Sequence, residues 1–99
     1  MQYVFPLYLN SRESMGLRDS GNNGPVLVNG ALVPENAIVP GKYVYCKGAF
    51  DERNVRHNLP VAKIKIRSPH FGFDDDVEIE VTVCESMPSG IDCNIGNSF

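Results

Sequence analysis

Among the side chains able to do chemistry, one triplet stands out: Asp19-Ser20-Gly21. An apolar run holding Leu17 leads into it, the turn Gly21-Asn22-Asn23-Gly24 follows, and the apolar Pro25-Val26-Leu27-Val28 comes next. A carboxylate at a strand end, on a tight turn, is held rigidly and partly withdrawn from water. Gly21 lets backbone approach it closely. The triplet alone is short enough to arise by chance and equally describes a polar turn. Peptide hydrolysis by carboxylates needs two of them, sharing one proton so that acid and base roles divide. The 99 residues hold a single Asp-Ser/Thr-Gly. A two-fold dimer supplies the second Asp19.

The other reactive groups carry less. Cys46, Cys84 and Cys93 are odd in number and lack metal-ligand spacing. They read as reduced, half-buried thiols of an intracellular protein, and no histidine is placed to activate one as a nucleophile. His57 and His70 have no cysteine cluster beside them, so no zinc site is expected. His70, next to Pro69, reads as a surface turn residue and His57 as part of a hairpin arm. Asp74-Asp75-Asp76 reads as a solvated hairpin turn, with calcium as the alternative that clustered oxygens raise.

The elements that must position Asp19 repeat with period two. Val77, Ile79, Val81 and Val83 alternate with Glu78, Glu80, Thr82 and Cys84, a half-buried strand. Ala62, Ile64 and Ile66 alternate with Lys63 and Lys65 in a second strand with a lysine-marked solvent face. Tyr43 to Cys46 is a short aromatic and β-branched strand. Tyr3, Phe5, Leu7 and Leu9 share one face of another, and Pro6 places that strand at an edge, because proline donates no ladder hydrogen bond. Met15 to Asp19 and Pro25 to Val28 complete the set. Breakers are expected at 10–12, 34–36, 40–41, 71–76 and 88–90. Strand spacing of about 8–12 residues with polar turns predicts an all-β domain, a small barrel or sandwich.

A single domain spanning 1–99 is expected, small enough that association with a second copy is an ordinary remedy for its limited core. Apolar residues make up 42% and the net charge is -3. That balance argues against a nucleic-acid partner, which calls for a basic stripe. No apolar run reaches the length of a membrane span, and the N-terminus lacks the layout of a signal peptide. Met1 runs straight into strand-like sequence, as in a segment of a longer polyprotein.

Five stretches, in order, resemble the retropepsins, the aspartic proteases of retroviruses and long-terminal-repeat retrotransposons, with the closest look to arthropod-type retrotransposon proteases. Residues 15–21 (MGLRDSG) look like the strand and active-site loop, and 43–50 (YVYCKGAF) like the rising arm and tip of the flap hairpin. Residues 58–66 (NLPVAKIKI) look like the strand after it, and 68–72 (SPHFG) like the turn before the strand of Val77 to Val83. Residues 90–97 (GIDCNIGN) resemble the closing segment, in which an apolar residue and a glycine lie beneath the active-site loop.

The resemblance implies a small closed barrel of the acid-protease type with a flap hairpin, acting as an aspartic endopeptidase on a retroelement Gag-Pol polyprotein. Asp19 from each subunit of a homodimer would activate the attacking water. Ser20 would brace the partner's loop, and Gly21 would offer its backbone to carboxylate or substrate. Lys47, Gly48, Ala49 and Phe50 would close over an extended peptide. Leu17 and Asn94 would line its pockets. No metal and no organic cofactor is implied, and the setting would be the cytoplasm or a retroelement particle. The pattern departs from the family at Asn22-Asn23-Gly24-Pro25, at the lone flap glycine Gly48, and after Asn97, where the family continues through a helix and a dimer strand. The Asn22-Asn23-Gly24 loop and the departure after Asn97 favour a second reading, a retropepsin-like binding or assembly domain without turnover, while the intact Asp19 triplet favours the enzyme.

Overall fold

The computed structural model describes residues 2–47 and 56–97. Seven strands form one sheet: β1 (Gln2–Leu9), β2 (Arg12–Asp19), β3 (Leu27–Asn29), β4 (Ile38–Lys47), β5 (Arg56–Ser68), β6 (Phe73–Cys84) and β7 (Cys93–Ile95). Short 3-10 turns occupy Gly30–Leu32, Glu35–Ala37 and Pro69–Phe71. The fold is all-β. Its strand order is β1-β2-β7-β3-β6-β5-β4, and β1 also pairs with β5, so six strands close a barrel and β4 extends from β5 outside the ring. Among the described residues no helix is long and apolar enough to cross a membrane.

Closure is local chemistry. Asn10 and Ser11 both take positive φ, 49° and 67°, in the two-residue turn joining β1 to β2. Such turns match the twist of a hairpin, and asparagine tolerates the left-handed region well. The same Asn10 then docks on β5. Its N–H donates to the Lys65 carbonyl at 2.8 Å, and its Oδ1 accepts from the Lys65 N–H at 2.9 Å. Next to it, Tyr8 and Leu9 register with Arg67 and Ile66. The guanidinium of Arg67 lies 3.9 Å above the Tyr8 ring. Pro6 falls on the part of β1 that registers with β2 alone, opposite Met15. The strand is thus an edge at Pro6 and a closed seam at Leu9.

Period two explains most of the interior. Phe5, Leu7 and Leu9 from β1 meet Ala62, Ile64 and Ile66 from β5 in the main core, with Val26, Val28, Val81, Val83, Cys93 and Ile95. Lys63 and Lys65 stay exposed, and their cross-strand neighbours are Glu80 and Glu78. Opposite charges directly across a ladder stabilise the pairing modestly. Lys42 of β4 adds a 2.6 Å ion pair to Glu80, and that contact holds the Glu80 carboxyl below its ordinary value.

The structure corrects several sequence expectations. The Asp74-Asp75-Asp76 run is not a turn: β6 begins at Phe73, the chain reverses at Pro69–Gly72, and Asp76 lies 3.8 Å from Arg67. Gly72, at φ 82°, makes the tight reversal that frees those aspartates for the strand. Pro40-Gly41 does not break a strand but sits inside β4, at the register shift between Ile38 and Tyr43. The alternation in β6 also fails as a guide to burial. Val77 is 43% exposed, whereas Val81, Thr82, Val83 and Cys84 are all buried. Thr82 registers with Leu27 of β3 on one side and Val61 of β5 on the other. Cys84 and Cys93 are free and buried rather than half-buried. His70 is exposed, as a turn residue should be, yet its ring stacks on Phe5 at 5.1 Å and meets Phe71 edge-on at 5.0 Å.

These burials give opposite expectations for two apolar positions in strands. Leu7→Ala should lower the unfolding free energy by about 2–5 kcal/mol, as emptied core sites do. Val77→Ala should change it by about 0.5 kcal/mol or less. Urea denaturation of both variants checks this, and equal losses would mean that Val77 is buried.

Candidate active-site loop

Asp19 is the last residue of β2, and the chain turns at once through Ser20 and Gly21. The Asn22 N–H donates to the Asp19 carbonyl at 3.0 Å, closing the turn. The Gly21 N–H donates to Oδ1 of Asp19 at 3.0 Å. The side chain of Asp19 is therefore fixed by the backbone it precedes, as aspartate side chains commonly are in turns. Asp19 is half-buried, while Ser20 and Gly21 are exposed. One face of the triplet is open to solvent and the other rests on protein.

That support is the segment 92–97. β7 runs parallel to β2, with Leu17 opposite Asn94, and antiparallel to β3, with Leu27 opposite Asn94. Asp92 extends the seam: its N–H donates to the Met15 carbonyl and its Oδ2 accepts from the Met15 N–H, each at 2.8 Å. Beyond β7, the Asn97 N–H donates to the Asn22 carbonyl at 2.8 Å. The Asn97 side chain donates to the Ser20 carbonyl at 2.7 Å and to Oδ1 of Asn23 at 2.8 Å. Arg18 donates to the Gly96 carbonyl and, at 3.4 Å, to Oδ1 of Asn97. Its guanidinium also lies 5.9 Å from the centre of the Phe71 ring.

Gly96 shows how closely the loop is seated. A Cβ at that position would lie 2.0 Å from the Asn22 carbonyl oxygen, inside any van der Waals contact. Only glycine permits this approach of backbone to backbone.

Asn94 is the residue whose place differs most from expectation. Read from sequence as a pocket-lining position, it is fully buried beneath the loop. Its Oδ1 accepts from Nδ2 of Asn22 at 2.8 Å, and its Nδ2 lies 3.5 Å from Oδ2 of Asp19. Burying an amide between leucines costs about 1–3 kcal/mol if its hydrogen bonds are not replaced. The loop replaces them. Leu17 is half-buried in β2, next to Asn94. Lys47 ends β4, and Gly48, Ala49 and Phe50 lie outside the described residues. Sequence reasoning missed the bracing roles of Arg18, Asn22 and Asn97. The signal available for them was a run of short polar side chains on either side of an otherwise apolar seam.

No cluster of three or more histidine, cysteine, aspartate or glutamate side chains able to hold a metal occurs among the described residues. The nearest thiol to the loop along β7, Cys93, has no exposure, and burial, with a smaller push from Asp92, raises its pKa to about 12. Such a thiol is neutral and inert at physiological pH. What the loop offers chemically is one carboxylate with a backbone donor on one oxygen and an amide facing the other. No protein-family model matches this sequence, and no curated protein matches it.

Two measurements probe this seat. Gly96→Ala should destabilise the chain by on the order of 1–3 kcal/mol or more, because backbone rather than a side chain must move, and should shift the amide signals of residues 19–23. A wild-type spectrum for the loop would contradict the close approach. For Cys93, the folded pKa lies above the ordinary value of 9.0. Its contribution is thus complete below pH ~9 and is lost as pH rises toward 12, with a slope of at most ~1.4 kcal/mol per pH unit. Denaturation midpoints should fall less steeply over that range in Cys93→Ala than in the wild type.

Proposed function

We propose that this chain is a retropepsin-like aspartic endopeptidase in which two copies each contribute Asp19. The observation that carries the reading is the seating of Asp19: a carboxylate at a strand end, held by the Gly21 N–H and locked onto residues 94–97 of a small closed β-barrel. Rigid placement of this kind suits general acid–base work, where the reacting group must meet its proton partner in a fixed geometry. The five ordered sequence resemblances support the same reading, and the antiparallel pairing of β4 with β5 suits the arms of a flap hairpin.

The mechanism follows from the chemistry of paired carboxylates. With two Asp19 side chains adjacent, like-charge repulsion keeps both from ionising, and one proton is shared. The ionised member takes a proton from a water molecule as its oxygen attacks the scissile carbonyl carbon. The protonated member donates to the carbonyl oxygen. The dyad's carboxyl group then protonates the amide nitrogen, and a hydroxyl of the gem-diol intermediate returns a proton to the carboxylate. The C–N bond breaks to release amine and carboxylic acid, leaving the dyad with its one shared proton. The hairpin arm would cover an extended peptide, contributing backbone hydrogen bonds as an added strand does. The substrate on this reading is the polyprotein of the parent retroelement.

The test is cleavage of peptides or parent polyprotein from pH 4 to 7 by wild-type chain and by Asp19→Asn. Loss of turnover in the variant, by about 10^3-fold or more as expected for a chemical group acting as a unit with its partner, supports the reading. Because each site needs two chains, specific activity should rise with enzyme concentration, and added Asp19→Asn should poison the wild type. Equal cleavage by the two proteins would exclude it.

A further inference from the structure

A primary amide is buried in the seam where both neighbouring strands place leucine. Asn94 registers with Leu17 of β2 and Leu27 of β3 and has no exposure. Its two ends are not interchangeable, since a carboxamide accepts at oxygen and donates at nitrogen. Which end faces Asp19 is settled one residue away. The Gly24 N–H donates to Oδ1 of Asn22 at 2.8 Å, so Asn22 turns its nitrogen toward Asn94 and, at 3.4 Å, the Pro25 carbonyl. Asn94 then receives that donor on its own oxygen, and its nitrogen is left toward Oδ2 of Asp19. The direction of the whole relay, Gly24 to Asn22 to Asn94 to Asp19, is set by a backbone N–H that cannot reverse.

We infer that Asn94 is a positioning residue for Asp19, aimed by Asn22. The inference rests on the reading of Asp19 as the catalytic carboxylate. Gly21 holds one carboxylate oxygen and Asn94 the other, so the carboxylate plane cannot rotate without losing a donor. Asp19 keeps part of its surface exposed, beside the exposed Ser20 and Gly21, where a second carboxylate and a water would meet it. The same Asn94 that fills an otherwise apolar seam thereby connects the loop's fold to the orientation of its reactive group.

The relay predicts an unusual variant. Asn22→Asp keeps the acceptor for the Gly24 N–H but places an oxygen against Oδ1 of Asn94. The Asn94 carboxamide must then turn over and set its own oxygen against Asp19. Asn23→Asp adds the same charge at the neighbouring residue while keeping the acceptor for Asn97, so it controls for charge alone. With a peptide substrate, Asn22→Asp should lower kcat about 10–100-fold, the range of a small misplacement of a reacting group. KM should change little and the acidic limb of the kcat–pH profile should move, with smaller effects in Asn23→Asp. Asn94→Leu, matched to its leucine neighbours, should lose kcat similarly, with a lower thermal midpoint because Nδ2 of Asn22 loses its acceptor. Should that variant fail to fold, Asn22→Asp still carries the test, because it leaves the buried position intact.

A second readout does not need turnover. In the full chain, the side-chain 15N-amide signals of Asn94 should move with pH in the wild type and stop moving in Asp19→Asn. Titrating Asn94 signals in a chain that cleaves nothing would sink the protease reading and leave the positioning contact standing. Amide signals indifferent to Asp19→Asn would overturn the inference. So would an Asn22→Asp enzyme whose kcat and pH profile match those of Asn23→Asp, or a folded Asn94→Leu with wild-type kcat.

Discussion

Everything near Asp19 depends on three residues of β7 being inserted between β2 and β3. Cys93, Asn94 and Ile95 are fully buried there, parallel to one neighbour and antiparallel to the other. The insertion bridges the facing edges of β2 and β3, which are otherwise linked only the long way round through the β1–β5 seam, and so it completes the barrel. It also brings Gly96 and Asn97 under the loop that follows β2. Barrel closure and loop geometry are thus consequences of one pairing rather than two separate achievements.

The seam carries polar contacts at both exposed ends and one at its buried centre, where a donor or acceptor must be matched. Asp92 supplies the side-chain acceptor that Met15 needs as β7 begins, and Asn97 satisfies carbonyl and amide oxygens of the loop as it ends. Asn94 is matched in the middle. Replacing Asn94 by an apolar residue would leave Nδ2 of Asn22 without that acceptor in a part-buried place, whereas the bonds of Asp92 and Asn97 are exposed and water can substitute for them.

Much of the barrel was legible in the sequence, because β1 and β5 have one face in the core and one in water. Phe5, Leu7 and Leu9, and Ala62, Ile64 and Ile66, read directly as interior. β6 was less legible. Its first half pairs with β5 alone and is exposed at Val77, while its last four residues are covered on both faces, so strict alternation carried no information about burial. The Asp74 to Asp76 run looked like a turn because acidic residues are common there, but Gly72 had already made the reversal. For the loop, the triplet and its glycines were visible, and the identity of the bracing groups was not. Asn94 reads as a pocket-lining position until its strand is known to lie between two others. Its role depends on the orientation of Asn22, which no spacing encodes.

The parallel pairing of β2 with β7 also has a kinetic meaning. Residues that brace Asp19 stand more than 70 positions along the chain from it, as the contacts of Asn94 and Asn97 show. Long-range pairings of this sort form late, because chain closure must be completed before any contact compensates for it. The hairpin of β1 and β2 can form as soon as it is made, but its reactive end gains its support only when β7 arrives. Within this domain, Asp19 is made well before the strand that sets it in place. A carboxylate of this kind stays unarmed until β7 has been made.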